Sequence, residues 1–506
     1  MNELKNMIFK NALLVAFLMT IYTNSHAEIS EIAMPSSTDL EDNPYTLSSV
    51  NQLKSLKELN NKNTVQNYQA PFVHELPNSM QVRTLFVESN ALPMVDIQIT
   101  FNAGSARDEV IAPGMYGMSN MAAKLMIEGT EQLTAQQISS TFEGLGAKYS
   151  INAYRDMFTV RLRVLNDPNK LTPALNLLLD LIKNATFKQS GINLMLTNTQ
   201  VGQKQIQENP SRLMSIQFYR SIYERHPYAQ PITGTNGSIR KITPELLKQF
   251  RDKLLVAQNS NIAITGQLNT DQAQQIAEVI STNLPQGEKQ LPLESPLEKL
   301  GIDLKLIKNQ SNQAHVMMGH LSVDRNHPDR IALEVANRIF GGGSFNSLLS
   351  KELRVKRGLT YSASSNITSP QVAGIFSMSY ATKQNQLLES LAIAHQTLID
   401  FSQQPVSANL LKETKDNILR SFPMSLTSNS NINAQIASIG FYGLNANYLN
   451  EYQQQVKKLT INDLQRVIKQ HFKPENLTVV VVTSENSIES IQDVFDQNLL
   501  NDKKVK

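Results

Sequence analysis

The chain has 506 residues, no cysteine and a formal net charge of +3 with acids and bases interspersed. Its length predicts roughly two to four domains, each able to bury a core. The balanced charge excludes an electrostatic footprint for nucleic acid, and the absence of cysteine excludes disulfides, thiolate zinc sites and a lipidated cysteine.

Lys5 and Lys10 precede an apolar run from Ala12 to Tyr22, and Ser25-His26-Ala27 then supplies small residues two apart. This pattern predicts a secretory signal peptide over 1–27, cut after Ala27. The run is too short for a comfortable bilayer span, and no other stretch is apolar enough for one. An exported mature protein follows, which a cell with an outer membrane would keep in its periplasm. Residues 28–70, rich in Ser, Asn and Thr, read as a flexible N-terminal extension.

Strand-like alternation begins with VRTLFVES and MVDIQITFNAG. GMYGMSNMAAKLMIEGT over 114–130 then reads as a helix between a proline–glycine turn and Gly129-Thr130. A second helix follows, capped by Thr134 and stopped by Gly144. Strands are expected near 147–153 and 157–165, then long helices across 169–184 and 190–222. Two segments resemble each other, 241–266 and 458–484. Each opens on a threonine suited to capping a helix (Thr243, Thr460) and leads into a β-branched strand (Asn261–Thr265, Leu477–Thr483). The repeat predicts two copies of one domain, at 71–284 and 302–497. Between them 285–301, rich in Pro, Glu and Lys, reads as a linker, and 498–506 as a tail. The second copy opens with strands in LKLIKN and AHVMMGHLSVD, then a helix over 328–340, the turn Gly341-Gly342-Gly343, and another helix.

The mature chain carries His74, His226, His315, His320, His327, His395 and His471. No two stand three or four residues apart, the spacing by which one helix offers two ligands to one ion. His315 and His320 fall on opposite faces of one strand, and His226-Pro227-Tyr228 reads as a turn. No nucleophile elbow, phosphate loop or dinucleotide fingerprint occurs. Gly341–Gly343 suits either an anion-friendly helix start or a flexible connection.

The duplication, FNAGSARDE, PGM…IEGT, HPYAQPITGT with KITPELLKQF, and FGGGSFNSLLSKELRVKRGLTYSASS together resemble the insulinase-like (pitrilysin) zinc peptidases. The likeness is to their two-domain processing-protease branch and runs over roughly 72–490. It implies an α+β fold of two homologous α/β-roll domains, each a mostly antiparallel sheet packed against helices, forming half of a clamshell around a chamber. Active members carry His-x-x-Glu-His on the helix before Gly-Thr, where the histidines bind zinc and the glutamate activates water. Those places fall here on Asn120, Ala123 and Lys124. An amide is a poor zinc ligand, alanine takes no proton, and an ammonium repels the ion. The third ligand, a Glu, is expected near 201–206, where VGQKQI has no acid; Glu208 is the closest. The resemblance therefore implies a degenerate metal site and no catalytic residue in this chain.

The family's substrate-holding pair, an Arg and a Tyr seven residues apart, matches Arg354 and Tyr361 in LRVKRGLTY, preceded by Gly341, Gly342 and Gly343. A guanidinium fork suits carbonyl or carboxylate groups, and a phenol can donate to a developing oxyanion. Arg357 is a neighbour with the wrong spacing. The implied role is a non-catalytic subunit that binds no cofactor itself. A paralogous His-x-x-Glu-His subunit would carry the zinc, and the substrate would be a short or unfolded peptide. Three alternatives stand beside this: a peptide-binding or assembly protein outside proteolysis, a homodimer of the isolated chain, and independent hydrolysis through other residues.

Overall fold

The computed structural model describes residues 68–343 and 346–505. The expected signal peptide over 1–27 and nearly all of the expected extension over 28–70 lie outside the described residues. Two sheets organise the chain. The first is built from β1 (His74–Leu76), β2 (Thr84–Glu88), β3 (Met94–Phe101), β4 (Lys148–Ala153), β5 (Phe158–Leu165) and β6 (Ser260–Gly266), in spatial order β1-β2-β6-β3-β5-β4. The second comprises β7 (Asp303–Lys308), β8 (Gln313–Leu321), β9 (Ala363–Thr368), β10 (Ile375–Lys383) and β11 (Thr478–Thr483), ordered β7-β11-β8-β10-β9. β2 pairs with β6 in parallel, as β7 does with β11, and every other pairing is antiparallel. Apart from β1 the two orders superpose strand for strand, so the expected duplication is present in the topology.

The helices of the first half are α1 (Met118–Leu125), α2 (Ala135–Gly144), α3 (Pro168–Asn184), α4 (Gln189–Gln207), α5 (Pro210–Tyr223), α6 (Pro244–Leu254) and α7 (Thr270–Asn283). Those of the second are α8 (Arg330–Asn337), α9 (Leu387–Gln403), α10 (Ala408–Ser421), α11 (Asn429–Phe441), α12 (Tyr448–Lys458), α13 (Ile461–His471) and α14 (Ile488–Val505). The repeated units are α6–β6 and α13–β11. Their caps form as expected, Thr243 accepting from Leu246 N and Thr460 from Asp463 N. Two helix boundaries differ from expectation. The helix expected over 114–130 begins only at Met118, because Gly117 sits at φ +95. A Cβ there would lie 2.8 Å from Thr233 O, so glycine is required. The long helix expected over 190–222 breaks after Gln207: Asn209 caps the next helix from its side chain and Pro210 occupies the first turn.

Each sheet buries one face on its own helices and the other on a helix from the opposite half. Val95, Ile97, Ile99 and Phe101 of β3 face the first core with Met121, Ala122 and Leu178. The alternate residues Asp96, Gln98 and Thr100 are buried too, because α11 of the second half packs across β3 and β6. Asn433 Nδ2 donates to Asp96 O (2.9 Å), and Asn261 Nδ2 donates to Ala437 O (3.2 Å). Reciprocally, α5 of the first half covers β8 and β11, where Met214, Phe218 and Ile222 meet Val480 and Val482. Residues 285–301 carry no helix or strand. The halves are thus cross-braced, and neither sheet is complete without the other half's helix.

Candidate functional site

α1 is positioned by its amino end. Asp108, fully buried, accepts from Gly117 N (2.7 Å), Met118 N (3.0 Å) and Ser119 N (2.9 Å). These are donors that a helix start leaves without intrahelical partners. Burial pushes the Asp108 carboxyl up to about 7, against the pull of those backbone bonds. Downstream, Asn120 is half-buried, Ala123 is 3% exposed and packs within the first core, and Lys124 is exposed. In the 201–206 stretch Val201 and Lys204 are exposed, while Glu208 lies just beyond the end of α4. An amide, a methyl and an ammonium offer neither the soft or imidazole donors that zinc prefers nor a base, so the residues present do not fit the ion.

The second half carries the other candidate residues on one connection. A helical turn spans Lys351–Val355, and Gly358 at φ +64 ends it. Gly358 N donates to Arg354 O (3.0 Å) and Leu359 N to Leu353 O (2.8 Å). The chain is then pinned by Thr360, whose hydroxyl donates to Ala381 O (2.7 Å), while Leu359 and Thr360 are buried. Between these anchors and β9, Tyr361 stands 84% exposed. Arg354, in the turn, is half-buried. Arg357 is committed elsewhere: its Nη1 donates to Glu352 Oε2 at 2.6 Å, and Lys356 pairs with the same carboxylate.

Gly341–Gly343 close the helix before them rather than open the next. Gly341 and Gly342 lie in the wide turn Arg338–Gly342 that continues α8. Glycine is needed there for close packing. A Cβ on Gly341 would meet Ser365 Oγ at 2.6 Å, and one on Gly342 would meet Asn337 Nδ2 at 2.3 Å. Gly341 is thus a packed joint, and the helical turn Leu348–Ser350 follows further along the chain.

Among the described residues one trio of ligand-type side chains converges, His327, Asp329 and His471, with atoms within 4.8 Å of one another. Spacing along one helix could not reveal it, since Asp329 and His471 are 142 residues apart. The signal lay in His327-Pro-Asp329 before α8 and in Arg466 and His471 on α13. It is a hydrogen-bonded network. Arg466 forks onto both Asp329 oxygens (2.6 and 3.1 Å), His471 Nε2 donates to Oδ2 (2.9 Å), and His327 Nδ1 accepts from Asp329 N (3.1 Å). Both Asp329 oxygens are therefore already taken by donors.

The family description "Insulinase (Peptidase family M16)" matches residues 83–236, and "Peptidase M16 inactive domain" matches 241–418. A solved peptidase M16 inactive domain from Pseudomonas fluorescens is 30% identical with a TM-score of 0.78, covering 82% of this chain and 99% of that one. The chain belongs to the insulinase family of peptidases. Among its family relatives, a Helicobacter pylori protein named "Non-peptidase homolog YmxG" is 23% identical over 413 residues, 81% of this chain and 94% of that one. The H. pylori "Zinc protease PqqE" is 22% identical, over 80% of this chain and 91% of its own length. With an amide, a methyl and an ammonium on α1, this insulinase-family chain is a non-catalytic member, as the resemblance implied. No helix among its described residues is long and apolar enough to cross a membrane.

Proposed function

We propose that this chain is the non-catalytic subunit of an exported heterodimeric zinc peptidase. A paralogous His-x-x-Glu-His subunit supplies the ion and the general base. This chain completes the chamber and presents Arg354 and Tyr361 to a short or unfolded peptide held at that partner's zinc. One observation carries the reading. The zinc-type positions on α1 are chemically void, yet Tyr361 stands 84% exposed on a connection pinned by buried Leu359 and Thr360. An exposed aromatic on an anchored support is available for contact with a partner. That H. pylori holds both a non-peptidase and a zinc-protease relative supports a division of labour between paralogues.

Mixing the purified chain with its intact-motif paralogue should raise chelator-sensitive peptide cleavage well above that of either alone. Arg354→Ala should lower kcat of the mixture by roughly 10²–10³, the scale for losing one transition-state donor, with little change in KM. Equal turnover by variant and unaltered mixtures would remove Arg354 from the role. Peptide binding by the isolated chain, without any gain in the paralogue's turnover, would instead make it a peptide holder outside proteolysis. Amino-terminal sequencing of the mature protein tests export, with Glu28 the expected first residue.

A further inference from the structure

Asp329 and Arg330 stand side by side at the start of α8, yet their side chains serve different places. Asp329 binds α13 through Arg466 and His471. Arg330 lines a cavity of about 350 Å³ with Arg325, Arg338, Glu334, Gly342 and Asn366. Three arginines and one glutamate are thus among its lining residues. That carboxylate is partly engaged, since Glu334 Oε1 accepts from Tyr452 OH (2.7 Å) and its Oε2 stays 3.7 Å from Arg330.

The arginines are held in a manner that leaves donors unanswered. Arg330 is only 8% exposed. Its Nη2, and Nε of Arg325, are buried without a hydrogen-bond partner among the described residues. The Arg325 guanidinium lies 5.0 Å from the Tyr442 ring and that of Arg330 lies 5.5 Å from the Tyr448 ring. Such contacts use the flat face of a guanidinium, whereas its N–H groups lie in the plane and remain for an in-plane acceptor. Burying like charges together is costly unless a counter-charge joins them. Arg330 shows the cost: burial lowers its pKa, and the Arg325 charge adds to that fall.

The wall is preorganised. Gly342 brings backbone to where a Cβ would strike Asn337. Asn337 is itself locked by Ser365, whose hydroxyl donates to Asn337 Oδ1 at 2.6 Å. Asn366, on the cavity wall, lies five residues beyond Tyr361. Neither Arg354 nor Tyr361 lines the cavity, although Gly342 of the glycine run does.

We propose that this cavity is an oxyanion-binding site, in which Arg325, Arg330 and Arg338 take a carboxylate or phosphate group. The oxyanion comes either from an acidic side chain of a bound peptide or from a free small anion. The site stands on the isolated chain, so its failure would leave the heterodimer reading intact, and the reverse holds.

The test is calorimetric titration of the full mature chain at low ionic strength with two probes, inorganic phosphate and a short glutamate-rich peptide. The same peptide with glutamine in place of glutamate is the control. At least one anionic probe should bind and the glutamine peptide should not. Binding of the acidic peptide alone assigns the oxyanion to peptide cargo, and binding of phosphate alone assigns a free anion. Arg330→Gln should weaken binding tenfold or more, the loss expected for one charge-assisted contact. Because Arg330 is buried, Arg338→Gln serves as a second variant with the same expected loss from a half-buried position. Failure of both anions to bind, or binding unmoved by both substitutions, overturns the assignment.

Discussion

α1 and α8 occupy equivalent places in the two halves, α1 between β3 and the edge strand β4 and α8 between β8 and the edge strand β9. Each has an aspartate near its start, and the two have opposite electrostatics. Asp108 is fully buried and accepts from three backbone amides, and burial pushes its carboxyl up to about 7. Asp329 sits under the Arg466 fork and His471, which hold its carboxyl down to about 2. In one half the aspartate caps the helix amides; in the other it caps none and ties the helix start to α13 by charge. The same separation holds for the candidate sites. α1 keeps Met121, Ala122 and Leu125 in the core, and Ala123, one of the zinc-type positions, packs there with them, while Asn120 is half-buried and Lys124 exposed. The second half keeps an anchored, exposed Tyr361. Core packing needs neither a ligand nor a base at these positions, so the helix can be kept while the chemistry is lost.

The exchanged helices are where the comparison between halves is most open to attack. Phe218 on α5 and Ile436 on α11 are both fully buried, each against the other half's sheet. Phe218→Ala should cost about 3–5 kcal/mol and Ile436→Ala about 2–5 kcal/mol. The informative readout is where the loss appears. Ile436→Ala lies in the second half, yet hydrogen exchange should accelerate in β3 and β6 of the first. Should β8 and β11 loosen while β3 and β6 stay protected, the halves are independent and the cross-bracing is cosmetic.

This bracing also marks the limit of what the residues reveal by pattern. The strands, the repeated α6–β6 and α13–β11 units and the linker are legible because local periodicity and Thr243 and Thr460 caps write them. Asp96, Gln98 and Thr100 alternate with apolar neighbours as on a solvated face, but they are buried under α11. Only the distant contact with Asn433 decides that. Asn209-Pro210 carried a readable helix break that the apolar pattern across 190–222 overrode. On the site side, the family resemblance singles out the positions of Asn120, Ala123 and Lys124, and only then does their chemistry read as that of non-ligands. The Asp329 network and the arginine cavity were not, since their members come from segments brought together by the fold.

The Asp108 side of the comparison can be sharpened by pH. A carboxyl whose folded pKa is raised above its unfolded 3.8 holds a proton in the native state that the unfolded chain has released. Its contribution to stability therefore falls as pH rises from about 4 to about 7 and is flat above that. The fall amounts to about 4 kcal/mol at most. Asp108→Asn removes this titration, so the stability of the native chain relative to the variant should decline across that window in urea titrations. A difference that stays level from pH 4 to 8 would mean the amides of Gly117, Met118 and Ser119 keep the carboxylate ionised throughout.

Asp329 should show the opposite sign and a smaller size. Its folded pKa is depressed, so the stability it contributes is full above about 4 and is lost as pH falls through about 2. Arg466 is half-exposed, its side chain 53% accessible, and solvent screens part of the gain. The contribution is then about 1–2 kcal/mol rather than the value the shift alone implies. Asp329→Asn should cost that much at pH 7, and the gap between variant and native chain should close near pH 2. Arg466→Gln should reproduce most of the loss at pH 7, because the fork is the largest cause of the depressed pKa. If Asp329→Asn were costly and Arg466→Gln silent, the work would fall to His471, and the gap would then move with protonation of the imidazole instead of the carboxylate.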